Sequence, residues 1–258
     1  FESYKTVATI MGKRPVVIRT LDIGGDKFIS SFRSSMELNP FLGWRAIRFC
    51  LSRPDIFKTQ LKAIMRAAWY GNFRMLIPMI STIEEIKKTR DIIEEAVGEL
   101  KKQQKQFTNP PLGIMIEVPS AALQAESFAH LVDFFSIGTN DLIQYTIAVD
   151  RINENISYLY QPCNPAILKL ISMTVEAAAK AGLDVSVCGE TASIPETVVL
   201  FIGFGIRHLS MAPSAIPQIK QIIRKIPYSK AKKLTEEAFG FSTHKEIVEF
   251  LKKNIGNY

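Results

Sequence analysis

No apolar run in the 258 residues approaches the ~18 that a membrane-spanning helix requires. The chain also carries no pattern of a secretory leader. The expectation is a soluble, cytoplasmic protein without a membrane partner. Cysteine is scarce: three residues, an odd number without paired spacing, argue against a disulfide framework and for a reducing compartment. Histidine is equally rare, and no His/Cys cluster has the spacing of a zinc site. His130, His208 and His244 stand outside any nucleophile-like motif, so solvated or structural roles are expected for all three. Gly-Lys-Ser/Thr is missing, which excludes a phosphate-binding P-loop. Acids are absent from Lys220–Lys233, which holds six bases. Its apolar residues recur at helical intervals, and no aromatic interleaving supports nucleic-acid readout, so one amphipathic surface helix is expected.

What is present describes a globular chain, 47% hydrophobic and 22% charged. Net charge is +7, with 32 bases against 25 acids. Glu84 to Lys105 contributes six of each sign at helical spacing, as a solvated face does. A length of 258 residues suits one large α/β domain spanning the whole sequence. Since the chain opens on Phe1 rather than Met, it is expected to be a fragment or a processed piece.

Short β-branched runs alternate with longer helical ones. Pro15–Leu21, Phe73–Pro78, Leu112–Glu117, Val132–Ile137, Asp184–Cys188 and Arg207–Met211 read as strands. Helical stretches lie at Glu2–Met11, Ile56–Trp69, Ile83–Gln104, Ala121–Ala129, Ala166–Ala181 and Glu196–Ile202. The strand runs are continuously apolar rather than alternating, as a parallel sheet covered on both faces requires. Strand–helix alternation means βαβ units. At this length a (β/α)8 barrel fits better than an open doubly wound sheet, although periodicity alone does not separate the two.

Polar residues gather at the C-terminal ends of these strands: Arg19, Asp22, Glu117, Asn140, Asp141, Cys188 and Glu190. In barrels and open α/β sheets alike, chemistry sits at that edge. Gly24 and Gly25, in Thr20–Lys27, would let backbone approach a ligand closely. Arg19, Arg45 and Arg151 are either surface ion-pair partners or grips for carboxylate and phosphate. Together with Lys27 they suggest an acidic substrate with several oxygens. Glu117, after an apolar strand, is either buried with a partner or bound to a hard cation. Asp141 reads as the N-cap of a helix beginning near Leu142, but Asn140 and Asp141 together exceed what a cap needs. Glu117 and Asp141 would suit Mg2+, which takes one or two protein carboxylates and completes its shell with water and substrate oxygens. Cys188 is either inert packing or a functional thiol, whereas Cys50 and Cys163 read as ordinary helix and loop thiols.

Six segments carry a family resemblance: RTLDIGGDK (Arg19–Lys27), NPFLGWRAIR (Asn39–Arg48), GIMIEVPSAA (Gly113–Ala122), VDFFSIGTNDLIQYTIAVDR (Val132–Arg151), YQPCNPAIL (Tyr160–Leu168) and VCGETA (Val187–Ala192). In order and wording they resemble the C-terminal phosphoenolpyruvate-binding domain of enzyme I of the bacterial sugar phosphotransferase system, the phosphoenolpyruvate–protein phosphotransferases. The resemblance implies a (β/α)8 TIM barrel that forms a homodimer, with Mg2+ as cofactor on Glu117 and Asp141. It implies that Arg19, Lys27, Arg45, Asn140 and Arg151 hold the phosphate and carboxylate of phosphoenolpyruvate, with Asp141 at the same site. Cys188 would be the catalytic acid that protonates the enolate to pyruvate. The partners implied are a phosphohistidine domain of the same enzyme and, through it, the histidine-containing phosphocarrier protein. Pyruvate phosphate dikinases and phosphoenolpyruvate synthases share several of these motifs and supply the alternative enzyme. A non-catalytic dimerisation module of the same fold is the alternative from another class.

The departures from the family pattern are local. An upstream strand with an Arg-Thr-Glu-Phe segment is expected before Phe1, leaving seven of eight barrel strands, and the phosphohistidine motif is not in the sequence. Cys-Gly-Glu-Thr-Ala-Ser stands where the family has CGExAG. Gly-Ile-Arg-His-Leu-Ser replaces a Gly-Leu-Asp-Glu-Phe-Ser wording, which exchanges two acids for Arg207 and His208.

Overall fold

The computed structural model describes residues 1–23 and 39–255. They belong to two compact units: Phe1–Met115 with Leu131–Phe134, and Ile116–His130 with Phe135–Tyr258. The fold is α/β. Among the described residues there are six strands, and each forms within one of the six apolar runs named above, except that β4 extends one residue further, to Gly138. This is one fewer than the seven expected: the seventh came from counting a barrel and not from any run of residues.

The first unit runs α1 (Glu2–Met11), β1 (Val16–Arg19), α2 (Ala46–Ser52), α3 (Pro54–Ala68), β2 (Phe73–Ile77), α4 (Ile83–Lys102) and β3 (Leu112–Ile116). β1 pairs parallel to β2, with Val16 opposite Phe73, and β2 pairs parallel to β3, with Met75 opposite Leu112. α4 starts where its sequence dictates. Thr82 and Glu85 form a reciprocal capping box, and the Glu85 carboxylate accepts from the Thr82 and Ser81 N–H groups at 3.0 and 2.6 Å. Its charged face is more than solvated, because Lys58 and Lys62 of α3 reach Glu99 at 3.1 and 2.6 Å. Gly113 is required by packing: an added Cβ would overlap the ring of Phe134.

The second unit runs α5 (Pro119–Leu123), α6 (Ala125–Ala129), β4 (Phe134–Gly138), α7 (Thr139–Ile147), α8 (Pro165–Ala181), β5 (Asp184–Cys188), α9 (Pro195–Phe204), β6 (His208–Ser210), α10 (Ile216–Lys225), α11 (Tyr228–Ala238) and α12 (His244–Ile255). β5 pairs parallel to β6, with Ser186 opposite His208. Val198, Val199 and Leu200 of α9 form the centre of its core with Ile219, Ile222, Leu234, Ile247 and Leu251. Arg207 lies over the Tyr228 ring at 4.7 Å.

Three expectations need correction. The basic run is two helices, α10 and α11. Pro227 lacks an N–H and drives Ile226 into extended backbone (φ −97°, ψ 120°), which ends the first helix. α7 begins at Thr139 with Gly138 as N-cap, so Asp141 lies inside the first turn and does not cap it. Continuous burial holds for β3 and β4 and nearly for β2, but β1 alternates and β6 is largely exposed. Among the described residues β1 and β6 each have a single hydrogen-bonded neighbour, and β5, with two, is buried only at Val187.

Candidate functional site

In the first unit the strand-end residues form one electrostatic group. Arg19 is the last residue of β1, and Asp22 follows three residues later. Arg45 precedes α2 and grips Asp22 with two nitrogens: Nε donates to Oδ1 at 3.2 Å, and Nη2 donates to Oδ2 at 2.9 Å. Arg19 Nη1 stands 3.4 Å from the same Oδ2. The Arg45 and Asp22 side chains are only 9% and 5% exposed, whereas Arg19 is 44% exposed. A nearly desolvated guanidinium acts more strongly on an anion than one in water. The next residue, Ala46, takes φ 50°, a left-handed conformation that holds strain where Arg45 is aimed. Cys50 lies behind this group, and burial, with Asp22 nearby, pushes its thiol up to about 12, so it stays protonated and inert. Lys27, Gly24 and Gly25 lie outside the described residues.

The second unit holds the remaining site residues of the sequence reading. Glu117 follows β3 and is 2% exposed; Asp141, in the first turn of α7, is 7% exposed. Cys188 ends β5. Ser136 of β4 donates to its sulfur at 3.3 Å, and the thiol reaches the Ile137 carbonyl at 3.5 Å. Thr139 Oγ1 donates to the Cys188 carbonyl at 3.2 Å and accepts from Thr191 Oγ1 at 2.6 Å. Asn140 Oδ1 accepts the Glu190 N–H at 3.0 Å. These bonds seat the strand-end turn around Gly189, whose φ of +121° and close approach to Thr139 and Asn140 leave no room for a side chain.

Arg151 follows α7, and its N–H donates to Gln144 Oε1 at 3.2 Å. Its Nη1 and the Tyr160 hydroxyl are both buried without a hydrogen-bond partner among the described residues. The two groups are neighbours: the Arg151 side chain approaches the Tyr160 oxygen as a donor, short of a well-formed hydrogen bond, and the charges of Arg151, Glu190 and Asp141 all act on the phenol. Burial is the larger influence and pushes that phenol up to about 12. Cys163 is buried and likewise raised to about 12, and its N–H donates to His244 Nδ1 at 3.1 Å, which gives His244 a structural role. Ser136, Thr139 and Tyr160 are absent from the sequence-derived site, although all three lie in the quoted motifs.

Chemically, the second unit offers buried carboxylates, a buried guanidinium nitrogen and a thiol with a hydroxyl donor on its sulfur. Among the described residues no three His, Cys, Asp or Glu side chains are gathered as a metal cage. Two buried carboxylates, Glu117 and Asp141, are still donor chemistry suited to Mg2+, which needs few protein ligands. No helix among the described residues is long and apolar enough to cross a membrane.

Residues 1–228 match the family model described as "PEP-utilising enzyme, PEP-binding domain". A phosphoenolpyruvate-protein phosphotransferase of Listeria monocytogenes is 47% identical over 254 residues, 98% of this chain and 44% of that protein. The Bacillus subtilis protein of the same name is 46% identical over 256 residues, 99% of this chain and 45% of that protein. The chain thus spans about half the length of the curated relatives it matches. Among solved structures, a citrate lyase from Burkholderia xenovorans is 16% identical with a TM-score of 0.47, over 76% of this chain and 67% of that one. No conclusion rests on that last likeness.

Proposed function

Because the chain belongs to the family of phosphoenolpyruvate-binding domains of phosphoenolpyruvate-utilising enzymes, we propose that it binds phosphoenolpyruvate and starts phosphoryl transfer as part of a phosphoenolpyruvate–protein phosphotransferase. The observation that carries this reading is the near-full-length likeness, at 46–47% identity, to proteins of that name. Those names favour it over the dikinase and synthase alternative. In this reading residues 1–258 are one domain of (β/α)8 barrel type, cytoplasmic and homodimeric. The phosphoryl acceptor is a histidine on another domain, which passes the group to the phosphocarrier protein serving sugar uptake.

Arg19, Arg45, Lys27, Asn140 and Arg151 bind the carboxylate and phosphate oxygens; each role is carried over from the family motif residue by residue. Glu117 and Asp141 would hold Mg2+, which when bound neutralises charge on the phosphoryl oxygens. The P–O bond breaks as the histidine nitrogen forms its bond to phosphorus, and enolpyruvate remains as the enolate. Cys188 gives its thiol proton to the terminal carbon of the enolate, producing pyruvate, and recovers a proton from solvent. Ser136 supports that step, because a hydroxyl donor 3.3 Å from the sulfur stabilises the thiolate left behind. Titrating phosphoenolpyruvate into the folded chain with and without Mg2+ tests the binding half of the proposal. Mixing the enzyme with its acceptor domain and carrier tests the transfer half. Binding without transfer would favour the non-catalytic module.

A further inference from the structure

The segment Tyr160–Leu168 belongs to the family wording but has no role in the chemistry above. Its first residue supplies one of two adjacent hydrogen-bond donors with nothing to donate to. The Tyr160 hydroxyl and Arg151 Nη1 are buried, and neither has a partner among the described residues. Leaving one such donor unmatched is costly, and folded proteins leave few of them. Two side by side, one of them on a permanent cation, describe a place prepared for an oxyanion.

We propose that Tyr160 is a substrate-binding residue whose hydroxyl, together with the Arg151 guanidinium, donates to the oxygens of one anionic group of the substrate. This deepens the phosphoenolpyruvate reading and rests on it. The phenol is suited to the task. Burial keeps it protonated, its pKa pushed up to about 12, so it remains a donor at neutral pH and adds no charge of its own. A neutral hydroxyl beside the guanidinium sharpens selection for oxygen geometry over simple charge.

The pair is also held in place before any ligand arrives. Arg151 is tied through its backbone to Gln144. Tyr160 leaves a short 3-10 turn, Ser157–Leu159, and is followed by two anchors. The Cys163 N–H bonds His244 of α12, and Asn164 Oδ1 caps α8 by accepting the Ala166 N–H at 2.9 Å. Donors fixed in advance bind an anion without the cost of ordering them at that moment.

The test is Tyr160→Phe in the full chain, with calorimetric titration of phosphoenolpyruvate and of pyruvate in Mg2+, and the thermal midpoint of the unliganded protein. The variant keeps the ring and removes only the hydroxyl. We expect phosphoenolpyruvate affinity to fall about tenfold, as for one hydrogen bond to a charged oxygen. The unliganded midpoint should hold or rise, because a buried hydroxyl without a partner has been removed. An equal loss for pyruvate assigns the hydroxyl to the carboxylate, and unchanged pyruvate binding assigns it to the phosphoryl group; both support the proposal. Phosphoenolpyruvate affinity within twofold of wild type overturns it and leaves the parent reading standing. A lowered unliganded midpoint makes the hydroxyl a structural group and overturns it whatever the affinity. Wild-type protein that binds no phosphoenolpyruvate sinks both.

Discussion

Replacing Gly189 by Ala perturbs the turn between Cys188 and Glu190 and presses directly on Asn140, one of the residues proposed to meet the substrate. Its φ of +121° lies where residues with a Cβ rarely go, a strain on the order of 1–3 kcal/mol. The added Cβ would stand 2.5 Å from Thr139 Oγ1 and 2.8 Å from Asn140 Oδ1, both inside contact distance. Overpacking of this kind typically costs about 1–3 kcal/mol. The two effects share one relaxation and do not simply add, so about 3 kcal/mol is expected. Relief requires moving Thr139 and Asn140, which breaks their bonds to the Cys188 carbonyl and the Glu190 N–H. Urea unfolding should therefore show the full loss, and phosphoenolpyruvate affinity should fall at least tenfold. Gly182→Ala is the control: it also has positive φ (+69°), but its added Cβ meets nothing within 4 Å, so about 1 kcal/mol is expected. If Gly189→Ala is no costlier than the control and binds ligand as wild type does, the reasoning about this turn is wrong.

His244 is held below its ordinary value of 6.5 by burial, against a smaller opposite pull from Glu196. A histidine with a depressed folded-state pKa takes up protons more readily when unfolded, so stability rises with pH through the window below about 6.5 and levels off above it. The thermal midpoint should accordingly drop as pH falls from 6.5 toward 5, and His244→Asn, which keeps an acceptor for the Cys163 N–H, should flatten that slope; an unchanged slope would assign it elsewhere. Cys188→Ala in the complete enzyme should slow proton exchange at the methyl carbon of pyruvate about 100-fold or more, while single-turnover phosphohistidine formation persists. Ser136→Ala should give a weaker loss of the same kind. Exchange that survives in Cys188→Ala would make the thiol simple packing.

β3 and β4 were legible because a strand buried on both faces writes itself as an uninterrupted apolar run, as Leu112–Ile116 does, while the less buried β1 and β6 showed through their short β-rich runs between helical stretches. α1 was read to its limits. α12 was missed even though Thr243 and Glu246 form a capping arrangement, with Thr243 N–H on Glu246 at 2.9 Å and Glu246 N–H on Thr243 at 3.2 Å. At the candidate site, chemistry chosen by residue type named Cys188, Asn140 and the arginines. It passed over Ser136, Thr139 and Tyr160, whose importance lies in which atom they face across a gap of many residues. Ser136 and Cys188 are 52 positions apart. Asp22 was noted only as a polar strand end, yet it is the carboxylate that orders both Arg19 and Arg45.

Binding of isotopically labelled phosphoenolpyruvate to the folded chain, with and without Mg2+, in wild type, Arg151→Ala and Asp141→Ala tests the account's central claim most directly. The account predicts wild-type binding that strengthens with Mg2+. It also predicts at least tenfold weaker binding in Arg151→Ala and loss of the Mg2+ effect in Asp141→Ala. Folded wild-type protein that retains no label at millimolar ligand, or binding indifferent to both substitutions, would contradict it.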